Sequence, residues 1–215
     1  MTLPIAEYLV RGALDLAIPV SDEVIADLSR FAELLLRWNR SINLVARGTN
    51  AERLVERHLL DSLALLRLLP ERGHVVDIGA GAGFPSLPLH IAGGTTTSLV
   101  EPSGRRCSFQ RAVVRELKLS GVEVHEARQE KLQPGKDLSL AEVVVSRATF
   151  APIDWIPIGE RWLPAGGALV VMTSQDDVEA LEGAARERGL ALEKKDVFTL
   201  PKSGARRENL LFRRS

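Results

Sequence analysis

Apolar positions early in the chain recur at helical spacing. Val24, Leu28, Phe31, Leu35 and Trp38 follow one another at steps of four and three, the stripe of an amphipathic helix. Ser21 stands where it can cap that helix, and Asp22 and Glu23 suit its positive end. The segment SINLVARGT reads as a polar turn. A second helix is predicted from near Asn50 through Leu54, Leu59, Leu63 and Leu66 to a stop at Pro70. From residue 74 the period changes. HVVDIG, TTTSLVE, VEVHEA, AEVVVS and GALVVMT are short strand-like runs, and helix-like stretches separate them. Such alternation predicts an α/β fold with a mostly parallel sheet covered on both faces. LALEKKDVFTL and RRENLLFR, joined by PKSGA, read as a closing antiparallel hairpin. The expected organisation is a helical N-terminal extension over 1–71 and an α/β domain over 72–215.

Composition narrows the class. Hydrophobic residues make up 45% of the 215 positions, and 28 Lys and Arg balance 28 Asp and Glu, so a packed core is expected and disorder is not. A single cysteine leaves no disulfide framework or cysteine-based zinc site and suits a reducing, cytoplasmic setting. No run of 18 apolar residues predicts a membrane span, and the N-terminal stretch does not read as a signal peptide. Arginines cluster at 105, 106, 111 and 115, and again at 206, 207, 213 and 214 beside Lys202. By charge alone both clusters read as solvated surface. Phe31 and Trp38 read as core, and Trp155 and Trp162, seven apart, as helix packing.

The most informative segment is Asp77-Ile78-Gly79-Ala80-Gly81-Ala82-Gly83-Phe84-Pro85, between a predicted strand and a predicted helix. Glycines there let a ligand approach the backbone, and Pro85 suits a first helical turn. The spacing is G-x-G-x-G, not the dinucleotide G-x-G-x-x-G, and no P-loop pattern is present. Asp77 would repel a pyrophosphate but hold a cationic amino-acid moiety. Glu101, 22 residues beyond Gly79, ends the second strand run and is placed to accept both hydroxyls of a ribose. Two acids flanking a glycine bend favour S-adenosylmethionine (SAM) over NAD. Gln129 and Glu130 follow the third strand run and are placed to meet an adenine edge; Glu130 equally suits a helix cap. Phe84, read as exposed beside the loop, is placed either to pack under the cofactor or to wall a base pocket.

The acceptor is read partly from what is missing. After the fourth strand run stands Ser146-Arg147-Ala148-Thr149-Phe150, not the Asn/Asp-Pro-Pro-aromatic loop that serves exocyclic amines. Cys107 lies in the basic helix, away from strand ends, so it reads as a packed or half-exposed thiol and not as a nucleophile for ring-carbon methylation. Guanine N7 is compatible, because its lone pair attacks the sulfonium methyl in line and no proton has to leave first.

The strings RHLLDSLALLRLLP, VVDIGAGAGFPSLPLHIA, LVEPSGRRCSFQRAVVRELKLSGVEV, ARQE and VVSRA together resemble the bacterial small-subunit ribosomal RNA methyltransferase family RsmG, also called GidB. The resemblance is strong over about residues 35–175, and the block His58-x-x-Asp61-Ser62 sets it apart from general methyltransferases. It implies a class I SAM-dependent methyltransferase fold, Rossmann-like and seven-stranded. It implies SAM as donor and, as acceptor, guanine N7 at position 527, in the 530 loop of 16S rRNA, met as naked RNA or within the small ribosomal subunit. By the same resemblance Asp77, Gly79, Gly81 and Phe84, with Ala80 and Gly83 between them, match the donor loop. Glu101 matches the ribose acid, and Gln129 and Glu130 the adenine edge. Arg147 matches an arginine near the transfer site that also reaches the donor, and His58 and Asp61 a polar pair beside it. Arg147 could also simply pair with a buried acid, His58 bridge two helices, and Asp61 pair locally. Three positions depart from the family pattern: Ser86 where Gly is usual, Arg105-Arg106 where Lys-Arg is frequent, and Thr173-Ser174 where Lys-Gly is common. The last removes a cation, so that either Arg147 and the C-terminal arginines take over or substrate affinity is altered. A monomer without membrane or metal partners is expected. The alternatives are a methyltransferase acting on a small molecule or protein, and a non-catalytic nucleotide-binding domain.

Overall fold

The computed structural model describes residues 4–70, 73–174 and 176–215. Helices α1 (Ile5–Asp15) and α2 (Asp22–Trp38) open the chain, and the Ser21 hydroxyl caps α2 by accepting the Val24 N–H at 3.3 Å. The predicted second helix begins where expected, with the Asn50 side chain accepting the Arg53 N–H at 2.9 Å. It is not one uniform helix. A short α3 (Ala51–Leu54) widens into a π-helical segment (Val55–Leu60), and α4 (Asp61–Leu63) then tightens into a 3₁₀ turn (Ala64–Arg67). π-helical insertions are rare and favour functional sites.

The sheet follows: β1 (His74–Ile78), α5 (Ser86–Gly93), β2 (Thr96–Glu101), α6 (Gly104–Glu116), β3 (Val122–Glu126), β4 (Val143–Val145), α7 (Pro152–Glu160), β5 (Ala168–Thr173), α8 (Val178–Arg186), β6 (Leu190–Thr199) and β7 (Arg206–Arg214). Strand order is β3-β2-β1-β4-β5-β7-β6. The first five strands run parallel, and β7 lies antiparallel between β5 and β6. This is the seven-stranded, mostly parallel α/β architecture expected of a class I methyltransferase, with the closing hairpin as anticipated. Strand order reverses beside β1, so the carboxyl ends of β1, β2 and β4 border one crevice.

Two details differ from expectation. Pro85 precedes α5 as its N-cap instead of sitting in its first turn, and the Phe84–Pro85 bond is cis. Trp162 lies beyond the end of α7; both it and Trp155 are buried, and the Trp155 indole N–H donates to the Val170 carbonyl at 2.8 Å.

The helical layer and the sheet domain share apolar packing. One hydrophobic cluster joins Leu9, Leu28, Phe31 and Leu59 to Phe84, Leu99 and Phe109. Phe31 sits at its centre, with ring centroids 5.4 Å from Phe84 and 6.2 Å from Phe109. The Glu56 carboxylate, on the π segment, accepts the Lys202 and Ser203 N–H groups at 2.8 and 2.6 Å and so ties the β6–β7 turn to the helical layer. Phe31→Ala is expected to cost about 3–5 kcal/mol of unfolding free energy, read by urea titration. The loss should appear in one transition followed by both tryptophan fluorescence and far-UV circular dichroism.

Candidate active site

The glycine loop is a folded object whose glycines serve different contacts. The Gly79 and Ala80 N–H groups donate to the Val100 carbonyl at 2.8 and 3.1 Å, binding the loop to the end of β2. At Gly79, φ is +75°, and an added Cβ would lie 2.5 Å from Thr149 Oγ1, whose hydroxyl donates to the Gly79 carbonyl at 3.1 Å. At Gly83, φ is +87°, and a Cβ would lie 2.2 Å from a methyl of Leu87 on α5. Gly83 and Ala80 are both buried, and Gly83 closes against Leu87. The Gly81 N–H donates to Glu101 Oε2 at 2.9 Å.

Glu101 ends β2, as its spacing suggested, and is buried. Its second oxygen accepts the Ser103 N–H at 2.9 Å. Each carboxylate oxygen retains a lone pair for a further donor such as a ribose hydroxyl. Val100 and Pro102, on either side of Glu101 in the chain, line a cleft of about 200 Å³ together with Gly79, Gln129, Glu130 and Thr149; the buried Glu101 carboxylate, held by the loop, is not itself part of that lining. Gln129 is buried in a 3₁₀ turn after β3, and its Oε1 has no hydrogen-bond partner. An orphaned amide carbonyl on an apolar cleft is an acceptor suited to an exocyclic amine. Glu130, beside it, is exposed.

Asp77 stands elsewhere than expected. It is fully buried beneath the loop, not among the residues lining the cleft. Its Oδ2 accepts the Ser86 N–H at 3.4 Å, and its Oδ1 has no partner. Burial is the main cause that raises its pKa to about 7, with the Ser86 contacts and the Arg147 charge opposing. Ser86, one of the departures noted in the sequence, is therefore a direct neighbour of this acid.

Phe84 is corrected outright: it is buried, not exposed. Its ring packs on Phe31, stacks with His58 at 5.1 Å and lies 4.9 Å beneath the Arg147 guanidinium. Residues of α2 and the π segment cover it, and it is not part of the cleft lining.

On this covered side the structure brings Arg147 to Asp61 and His58, which precede it by 86 and 89 positions in the chain. Arg147 follows β4 and donates to the Arg57 carbonyl at 3.1 Å, Asp61 Oδ2 at 3.3 Å and His58 Nδ1 at 2.7 Å. It does not line the donor cleft. Since the guanidinium can only donate, His58 Nδ1 accepts, and the neutral ring carries its proton on Nε2. Burial, reinforced by Arg147 and Arg57, lowers the His58 pKa to about 3. Burial pushes the Asp61 carboxyl above its ordinary range, against the pull of Arg147 and Arg207. Arg207, on β7, completes the group by donating to Asp61 Oδ1 at 3.1 Å. A second depression of about 290 Å³ opens here, lined by Asp61, Arg147, Phe150, Thr173, Ser174 and Arg207. Arg207 brings a cation to the place where Thr173-Ser174 lacks one.

Comparisons with known proteins give the family. A family model described as GidB, rRNA small subunit methyltransferase G, matches residues 24–211. The chain belongs to this family. A GidB relative from Anaeromyxobacter dehalogenans, named ribosomal RNA small subunit methyltransferase G, is 40% identical over 94% of both chains. One of the same name from Myxococcus xanthus is 34% identical over 96% of this chain and 95% of its own. Among solved structures, M. jannaschii TYW2 in complex with AdoMet superposes with a TM-score of 0.61 at 16% identity, over 82% of this chain and 80% of that one. TrmN from Thermus thermophilus superposes at 0.60 with 17% identity, over 86% and 52%. These two likenesses are of fold.

Two contacts of this GidB site escape sequence reasoning. Thr149 reads there only as part of the segment after β4, although its place two residues beyond Arg147 is a usable signal. Gln110, buried on α6, donates to the Gly81 carbonyl at 2.9 Å, and nothing in its local sequence announces that reach.

The buried Asp77 gives a pH test. Its pKa is about 7 in the fold, against 3.8 for an unperturbed aspartate in the unfolded chain, so the folded state holds its proton longer. Stability is then lost as pH rises between those values and levels off above about 7. Asp77→Asn removes this dependence. The difference in melting temperature, variant minus wild type, is expected to grow from pH 4 to 7 and then flatten, corresponding to a gain of a few kcal/mol. A difference constant over that range would contradict the burial argument.

Proposed function

We propose that this GidB protein transfers the methyl group of SAM to N7 of a guanine in the 530 loop of 16S rRNA. When bound, SAM supplies an electrophilic sulfonium methyl open to in-line attack by a ring nitrogen. Glu101 is placed to accept the ribose hydroxyls and Gln129 Oε1 to accept from the adenine edge. The orphaned Gln129 oxygen, in a cleft that Gly79 also lines, fits a nucleoside lying against the loop. Asp77 lies beneath the loop, outside the lining of the cleft.

The observation that carries the reading is that donor cleft and arginine cluster share one short segment. Thr149 lines the cleft, and Arg147, two residues earlier, anchors the cluster. A base entering the depression beside Arg147 would meet a donor held across Thr149. His58 is neutral at physiological pH and offers no cation and no strong base. N7 attack needs neither, since no proton leaves the nucleophile. What remains for the protein is orientation and electrostatic stabilisation. Arg147 is placed to orient the acceptor, and Asp61 and His58 hold Arg147 in place. Ribosomal RNA as acceptor places the reaction in the cytoplasm, and we take the acting species to be a monomer.

The deciding experiment incubates the protein with labelled SAM and 16S rRNA or small subunits from cells lacking the modification, followed by mass mapping of nucleosides. Label on a guanine N7 of the 530 loop is expected. SAM binding without transfer to either substrate would overturn the acceptor assignment. Arg147→Ala is expected to keep SAM affinity within about threefold while lowering kcat by about 10²-fold or more. Glu101→Ala is expected to abolish SAM binding by calorimetry; unchanged affinity would refute the donor map.

A further inference from the structure

We propose that the outer face of residues 37–57 is a docking surface for the sugar–phosphate backbone of the RNA acceptor, with Arg40, Arg47 and Arg53 as its phosphate contacts. The inference rests on the RNA reading above and extends it to a surface outside the two depressions already described.

Net charge is zero over the whole chain, yet this stretch carries five arginines against two glutamates. Arg37, Arg40, Arg47, Arg53 and Arg57 are all exposed. Both acids are turned to another partner. Glu56 is buried and accepts the Lys202 and Ser203 N–H groups, and Glu52 pairs with the Lys202 ammonium. The solvent side of the segment is left with charge of one sign. Among the described residues, none of these five guanidiniums donates a hydrogen bond or joins an ion pair. The arginines that do pair lie elsewhere in the chain.

The surface is also pre-formed. Asn39 Oδ1 accepts the Leu44 and Val45 N–H groups at 2.9 and 3.0 Å, Leu44 is buried, and Trp38 packs edge-on against Phe109 with centroids 5.7 Å apart. The loop after α2 thus holds a fixed open depression of about 640 Å³, lined by Arg40, Ser41, Asn43, Arg47 and Thr49 among others. It is continuous along the chain with the cluster at Arg147. Arg57 ends the stretch, and its carbonyl accepts the Arg147 N–H.

The chemistry selects the occupant. Guanidiniums interleaved with Asn, Ser and Thr are the side chains that hydrogen-bond phosphate and sugar oxygens. A protein partner would call for an apolar centre. The exposed large hydrophobic residues, Val10, Leu14, Leu140, Ile153 and Val197, all lie outside 37–57.

The test compares wild type with R40Q/R47Q/R53Q and with a control, R186Q/R188Q, whose exposed arginines lie at and just beyond the end of α8. Binding of an unmodified 530-loop RNA hairpin is measured against salt. Each lost phosphate contact should reduce the slope of log K against log salt by about 0.7–0.9. The triple variant is therefore expected to lose roughly 2 or more from that slope. It should raise KM for RNA at least tenfold while kcat and SAM affinity stay near wild type. The control should leave the slope unchanged. An unaltered slope in the triple variant, or an equal loss in the control, would overturn the proposal. If wild type binds the hairpin with an arginine-dependent slope but transfers no methyl group, it is the catalytic assignment that fails and not this surface.

Discussion

A guanidinium taken out of water must have its N–H groups met by the protein. Arg147 is such a group, and the way it is met organises much of the molecule. Its hydrogen bonds run to the Arg57 carbonyl, to Asp61 and to His58, all on the π-helical stretch and the turn after it. Its flat face rests on Phe84, from the glycine loop. Asp61 is in turn held from the other side by Arg207 on β7. Four parts of the chain therefore meet at one largely buried charge pair. A lone buried ion would cost several kcal/mol, so removing any partner is expected to loosen the others.

That cluster explains why the helical layer sits where it does. Apolar packing through Phe31 fixes α2 against the glycine loop, but packing alone tolerates small slides. Directional bonds from Arg147 set the rotation of the π segment, and the Glu56 contact with the β6–β7 turn fixes its other face. On the opposite side of the loop, Glu101 and Gln129 are presented by strand ends that parallel pairing brings together. Transfer chemistry needs donor and acceptor fixed relative to each other, and Arg147 to Thr149 is the short bridge between the two sides.

Much of this is legible in the sequence. Alternation of strand-like and helix-like runs marks the sheet, and the spacing from Gly79 to Glu101 marks the acid that bonds the loop. His58, Asp61 and Arg147 stand out, and they do converge. The exceptions have physical causes. The π segment leaves one trace in the sequence, the five-residue step from Leu54 to Leu59, which is too short a signal to separate it from an α-helix. Phe84 reads as exposed because its neighbours are glycines and alanine, while its cover comes from Phe31 and His58, which are distant in sequence. Asp77 reads as a ligand contact because spacing places a residue along the chain and says nothing of its depth. Gln110 acts through tertiary reach alone, and the sequence offers Arg207 only as one of several C-terminal arginines, without its partner Asp61.

The position of β7 has a consequence for how the protein comes into being. This strand is made after every other one, yet it occupies an interior slot between β5 and β6. A nascent chain that has emerged only as far as β6 has no neighbour for that strand to pair with and no Arg207 to match Asp61. The anionic side of the arginine cluster is thus left half-compensated until synthesis reaches residues 206–214. Completion of the arginine cluster is coupled to closure of the sheet by β7.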